Sequence, residues 1–129
     1  MLRILIKDDY IIYRKGLSAI LKEHFPDSFI TEAGDSKTFF AILGNETWDV
    51  VIMDVMWMDH LSINILKKVR QMLPVTPVVA MTLSSNLLFT TAVIEAGANI
   101  CLNKNSSLAE LTTSLEKIIL AHKPVGFHF

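Results

Sequence analysis

Five short apolar runs, each followed by a segment with apolar residues at helical spacing, narrow most sharply what this chain can fold into. Strands separated by helices pair in parallel, with the helices laid across the sheet. The runs are "RILIK" (3–7), "SFITEA" (28–33), "DVVIM" ending at Met53, "PVVAM" (77–81) and "NICLN" (99–103). "DVVIM" and "PVVAM" are almost continuously apolar, as expected of strands covered on both faces. "SFITEA" mixes polar with apolar residues and is expected at a sheet edge.

The intervening segments carry helix signals. Tyr13, Leu17, Ile20 and Leu21 recur at helical spacing, and 36–43 is a short helix ended by Gly44. Ile63, Leu66, Val69 and Leu73 mark a third helix that Pro74 stops, and 85–96 forms a fourth that Gly97 closes. Ser107 with Glu110 makes a capping box, opening a helix that carries Leu108, Leu111, Leu115, Ile118 and Ile119.

A chain of 129 residues is expected to be one domain, able to bury about two-thirds of its unfolded surface unaided. A net charge of −1 argues against binding nucleic acid by charge, and 51% apolar residues argue against disorder. The single Cys101 excludes an internal disulfide or a multi-cysteine zinc site and suits a reducing compartment. His24, His60, His122 and His128 show no metal-ligand spacing. No apolar run approaches the ~20 residues that span a bilayer, and the first residues lack a signal-peptide core. The expectation is a cytoplasmic protein without membrane contact.

In such a sheet the ligand crevice lies at the carboxyl ends of the strands. The residues there are Lys7, Asp8 and Asp9 after the first strand, Asp54 after the third, Thr82 after the fourth and Lys104 after the fifth. If the first and third strands are neighbours, Asp8, Asp9 and Asp54 crowd three carboxylates together. Like charges that close resist joint ionisation unless a cation is supplied. A hard divalent ion, Mg2+ above all, suits oxygen ligands, and the backbone carbonyl of Met56 could complete its shell. Lys104 adds positive charge and Thr82 a hydroxyl donor, as the oxygens of a transferred phosphoryl group require. Asp54, alone on the central strand, is the candidate nucleophile.

The stretches "ILIKDDY", "VVIMD", "VVAMT" and "AGANICLNK" resemble the receiver domain of two-component response regulators, from Leu2 to about His122. The resemblance implies an α/β fold, a flavodoxin-like, doubly wound, five-stranded parallel sheet of order 2-1-3-4-5 with five helices. It implies that Asp54 accepts a phosphoryl group from the phosphohistidine of a sensor histidine kinase, with Asp8, Asp9 and Mg2+ assisting. Lys104 would bind that group, and Thr82 would move toward it to report the modified state. Such a chain is a switch rather than a metabolic enzyme.

"DDYIIYRKGLSAIL" and "LNKNSSLAELTTSLEKI" look like receivers of the group with a C-terminal helix-turn-helix (LuxR-type) domain, which acts in transcription. DNA contact would then belong to that separate domain, and a homodimer is a further expectation. Residues 1–122 are expected to form the receiver, with 123–129 a tail or the start of a linker to an output domain absent here. Phe127 and Phe129 would lie in that tail.

Several positions depart from the family pattern. Met58 and Ser62 stand where a Pro and a Gly are usual, so the loop after Asp54 is expected to be shaped differently, and Leu83 stands where a small residue is usual, so access for a phosphodonor or the hydrolytic water is expected to be narrower. Lys7 replaces an apolar residue; its ammonium is expected to snorkel outward, the alternative being that it neutralises part of the acidic cluster and lowers the need for Mg2+. Cys101 takes the place of an aromatic switch residue and is expected to be a small buried hydrophobe. Tyr10 is expected to line the site, Trp48 to pack, Asp59 and His60 to be solvated loop residues, and Trp57 to cover either the metal site or a partner surface.

Three other readings are weighed. Leu83, Cys101 and Lys7 motivate a receiver-like interaction module that signals without phosphorylation. A flavodoxin-like FMN carrier is disfavoured, because two aspartates where a phosphate loop belongs would repel the FMN phosphate. An aspartyl-phosphate hydrolase lacks room for a substrate-capping domain.

Overall fold

The five apolar runs form five strands and the segments between them five helices. The computed structural model describes residues 1–57 and 59–122. In chain order the elements are β1 (Leu2–Lys7), α1 (Ile11–His24), β2 (Ser28–Ala33), α2 (Ser36–Leu43), β3 (Val50–Asp54), α3 (His60–Met72), β4 (Val78–Thr82), α4 (Leu87–Ala96), β5 (Ile100–Asn103) and α5 (Leu108–Ala121). The strands make one parallel sheet in the order β2-β1-β3-β4-β5. β2 lies at an edge, as its mixed composition suggests, and β3 is central. The expectations for Met58, Phe127, Phe129 and the 123–129 tail fall outside the described residues.

Alternation along each strand divides the core in two. Ile4, Ile6, Val50, Ile52, Val79 and Met81 face Leu17 and Leu21 of α1 and Leu111, Leu115 and Ile119 of α5. Leu5, Val51, Met53, Val78 and Ala80 face Phe39 of α2, Leu66 and Val69 of α3 and Phe89 and Val93 of α4. Because both faces are covered, all five residues of β3 are buried, Asp54 included.

Short polar side chains set the starts of α2, α3, α4 and α5. Asp35, Asp59, Asn86 and Ser107 each accept a hydrogen bond from a first-turn N–H, those of Thr38, Leu61, Phe89 and Glu110. Asn86 explains why α4 begins at Leu87 rather than near residue 85. Asp59 and His60 are not loose loop residues, as expected, but the cap and first residue of α3. Trp48 packs as expected, buried and donating from Nε1 to the Leu43 carbonyl at 3.3 Å.

One residue fastens the amino ends of β4 and β5. The Arg70 guanidinium donates to the carbonyls of Leu73 (2.8 Å), Thr76 (2.7 Å) and Gly97 (2.7 and 3.0 Å) and to Asn99 Oδ1 (2.8 Å). Gly97 adopts φ 132°, and a Cβ there would lie 2.8 Å from Arg70 Cβ, so only glycine admits this approach. Arg70→Ala leaves these acceptors without their donor. It should lower stability by about 2–4 kcal/mol in urea unfolding, with an unchanged m-value.

Candidate functional site

Parallel pairing brings the carboxyl ends of the strands to one edge. β1 and β3 are neighbours, with Lys7 paired to Met53, so Asp8 follows β1 beside Asp54 at the end of β3. Thr82 ends β4 in register with Asn103 of β5, which puts Lys104 on the same edge. Asp54, Thr82, Lys104 and Tyr10 line one cleft of about 250 Å³ together with Val55, Met56, Trp57, Leu83 and Ser84.

The charges are paired within the chain. Lys104 Nζ donates to Asp8 Oδ2 at 2.6 Å, and both side chains are buried. Asp8 Oδ1 accepts the Tyr10 backbone N–H at 2.8 Å, so both oxygens of this carboxylate are held. Asp9 is largely exposed. Lys7 does not snorkel outward: it is 5% exposed, and its Nζ lies 3.3 Å from Asp54 Oδ1 and 3.4 Å from Asp9 Oδ1. The outward reading is corrected because a buried carboxylate stands within reach of the lysine stem, and a buried charge needs a partner.

Burial pushes the Asp54 carboxyl above its ordinary value. Lys7 pulls it back, the neighbouring Asp8 charge raises it further, and Lys104 and the Lys7 hydrogen bond lower it, the net direction being up. Desolvation, then the Asp8 charge, raises the Tyr13 phenol in the same way.

Thr82 is buried, and its hydroxyl accepts the Ser84 N–H at 3.0 Å. Ser62, at the position where a glycine is usual, uses its hydroxyl to accept the Met56 N–H at 3.1 Å and so ties the loop after Asp54 to α3. The Met56 carbonyl accepts from the Asp59 N–H at 3.1 Å and keeps a second lone pair. Trp57 and Leu83 are both more than half exposed at the cleft rim. Cys101, on edge strand β5, is half-buried, and desolvation raises its thiol.

Three supporting roles escaped the sequence reading. Tyr13, taken only as part of a helical stripe, sets its ring 4.5 Å from Lys104 Nζ, with Tyr10 at 5.3 Å. Arg14 Nη1 donates to the Asp8 carbonyl at 2.7 Å while Nε pairs with Glu32 at 3.0 Å. Ser62 is the third. An aromatic and a cation one turn beyond an acidic pair were the available signal for the first two.

The donor set suits a hard cation in kind. Mg2+ is commonly held by one or two carboxylates and waters rather than by a full protein cage. Asp8, Asp9 and Asp54 supply such oxygens, although among the described residues no three acidic, His or Cys side chains converge as a ready-made metal cluster. Among the described residues, too, no helix is long and apolar enough to cross a membrane.

A doubly wound parallel sheet that sets a buried aspartate beside an acidic pair, a threonine and a lysine defines a CheY-like α/β domain. The chain belongs to the response regulator receiver domain family, whose model matches residues 4–116. It is similar to the glycerol metabolism activator of Pseudomonas putida, with 24% identity over 120 residues, 92% of this chain and 54% of the relative. The chain thus spans about half the length of that curated relative. A CheY-like receiver from Methanospirillum hungatei JF-1 superposes with TM-score 0.83 at 20% identity, covering 95% of this chain and 96% of the other. A LuxR family DNA-binding response regulator from Silicibacter pomeroyi gives TM-score 0.82 at 22% identity, covering 98% and 100%. These likenesses to solved structures establish the fold.

A carboxyl whose folded pKa is raised takes up protons more readily in the native than in the unfolded state. The fold therefore loses stability from this group as pH rises from the ordinary carboxylate value through the raised one. In metal-free buffer, the melting temperature of Asp54→Asn should gain on wild type as pH rises through that window and run parallel above it. Thermal melts between about pH 4 and about pH 8 read the sign, and a melting temperature of Asp54→Asn that falls relative to wild type as pH rises would mean that the pairs, not burial, dominate.

Proposed function

We propose that this chain is the phosphoacceptor module of a two-component system, with Asp54 receiving a phosphoryl group from the phosphohistidine of a sensor histidine kinase. The observation that carries the reading is the shared cleft: the buried Asp54 opens into the space that also holds Thr82 and Lys104. An Asp54 carboxylate oxygen attacks phosphorus, a P–O bond forms, and the P–N bond breaks with its electron pair returning to the imidazole, which keeps its proton balance with solvent. Lys104 leaves Asp8 to meet the phosphoryl oxygens, and the Thr82 hydroxyl gives up its contact with Ser84 to donate to them.

Asp8, Asp9, Asp54 and the Met56 carbonyl are the groups to hold Mg2+. When bound, the ion supplies positive charge to the phosphoryl oxygens. The module acts as a switch in the cytoplasm, itself able to form a homodimer, and passes its state to a transcriptional output. DNA contact falls to a separate C-terminal domain of the LuxR type. Support for that output comes from the Silicibacter pomeroyi neighbour and the activator name of the Pseudomonas putida relative.

One observation favours a second reading, an interaction module that signals without phosphorylation: Lys7 already stands against one of the two Asp54 carboxylate oxygens. Intact mass after incubation with Mg2+ and acetyl phosphate separates the two. The phosphoacceptor reading requires a gain of one phosphoryl group that Asp54→Asn abolishes, and absence of any gain with acetyl phosphate or a candidate kinase supports the second. Lys104→Ala should slow the modification by about 10²-fold. Leu83→Ala, which lowers the cleft rim beside Thr82, should speed loss of the group several-fold in a time course of intact mass.

A further inference from the structure

Lys7 has no task in the chemistry above, yet it is buried in the middle of the site. Its Nζ stands almost equally far from Asp54 Oδ1 (3.3 Å) and Asp9 Oδ1 (3.4 Å). Those distances exceed the roughly 2.7–2.9 Å of a tight charge-assisted bond, so the ammonium is shared between two carboxylates rather than committed to either. A cation that neutralises both takes such a position. The third carboxylate, Asp8, is filled by Lys104 and by the Tyr10 N–H. Among the described residues no buried side-chain oxygen is left without a partner. Three carboxylates therefore face two ammoniums, leaving one surplus negative charge where the acidic trio with Lys104 alone would leave two.

A divalent ion approaching Asp54 and Asp9 meets a like charge already in place. It must move the Lys7 ammonium aside and gains only part of the attraction that the bare carboxylates would offer. We infer that Lys7 is a tethered cation that competes with Mg2+ for Asp54 and Asp9, so that this chain binds the metal more weakly than its carboxylates would without it. The inference rests on the proposed role of Asp8, Asp9 and Asp54 as the metal's holders. A lysine suits the role because its charge is compact and its stem flexible, so it can bridge the acids at rest and withdraw.

Calorimetric titration with MgCl2 at constant ionic strength tests this on wild type, Lys7→Met and Lys7→Arg, with circular dichroism melts as the check of folding. Lys7→Met should bind Mg2+ at least about tenfold more tightly than wild type, and Lys7→Arg should stay as weak as wild type. If Lys7→Met does not fold, Lys7→Gln, whose amide still donates to Asp54, takes its place with the same expectation. Equal, saturable Mg2+ binding by wild type and the neutral variant overturns the inference and leaves the metal-holding role intact. No Mg2+ binding by either protein overturns that role and the inference with it, while the mass readout with acetyl phosphate judges Asp54 separately.

Discussion

Two carboxylates, Asp8 and Asp54, are buried at the end of an otherwise apolar sheet, and each has an ammonium standing against it. Isolated buried charges cost far more than a small domain can spare, and removing one partner of such a pair costs about 3–5 kcal/mol. The surroundings of the site follow from that requirement. β5 must end where Lys104 reaches back across the sheet, and α1 must start with two aromatic rings that leave room for the Lys104 ammonium. The β1 end must turn its last side chain inward toward Asp54 rather than out to water.

The parallel topology makes that arrangement inexpensive to build. Every helix crosses back over the sheet, so all carboxyl ends fall on one side, and residues far apart in sequence meet without any special loop. Lys104 and Asp8 are 96 positions apart and lie 2.6 Å from each other. Local devices then fix the details. Arg14 holds the Asp8 carbonyl, Asp59 starts α3, and the Ser62 hydroxyl ties the loop after Asp54 in the absence of the usual glycine.

Much of this could be read from the chain, for reasons that differ by residue. The unbroken apolar run before Asp54 and the mixed composition of 28–33 encode central and edge strands directly, because burial on two faces or one is written in composition. Asp8, Asp9, Asp54, Thr82 and Lys104 could be grouped because strand ends in a parallel sheet have one place to go. Lys7 could not be read: whether a lysine leans out or in depends on which carboxylate lies within its reach across the neighbouring strand. Asp59 was hidden by the unusual composition of its loop, although an acidic side chain two residues before an apolar helical position is a cap signal. Cys101 was expected to be buried but is only half so, since β5 is an edge strand and no residue of it is fully covered.

The Arg70 clamp lies at the other end of the sheet from all of this. It welds the close of α3, the approach to β4 and the turn into β5 into one block, through five bonds and a glycine that no other residue can replace without strain. The opposite rim carries the charged groups around Asp54. Trp57 and Leu83, beside the cleft, and Leu87 and Leu88, in the first turn of α4, give that rim a band of exposed apolar side chains where the other rim is closed by hydrogen bonds.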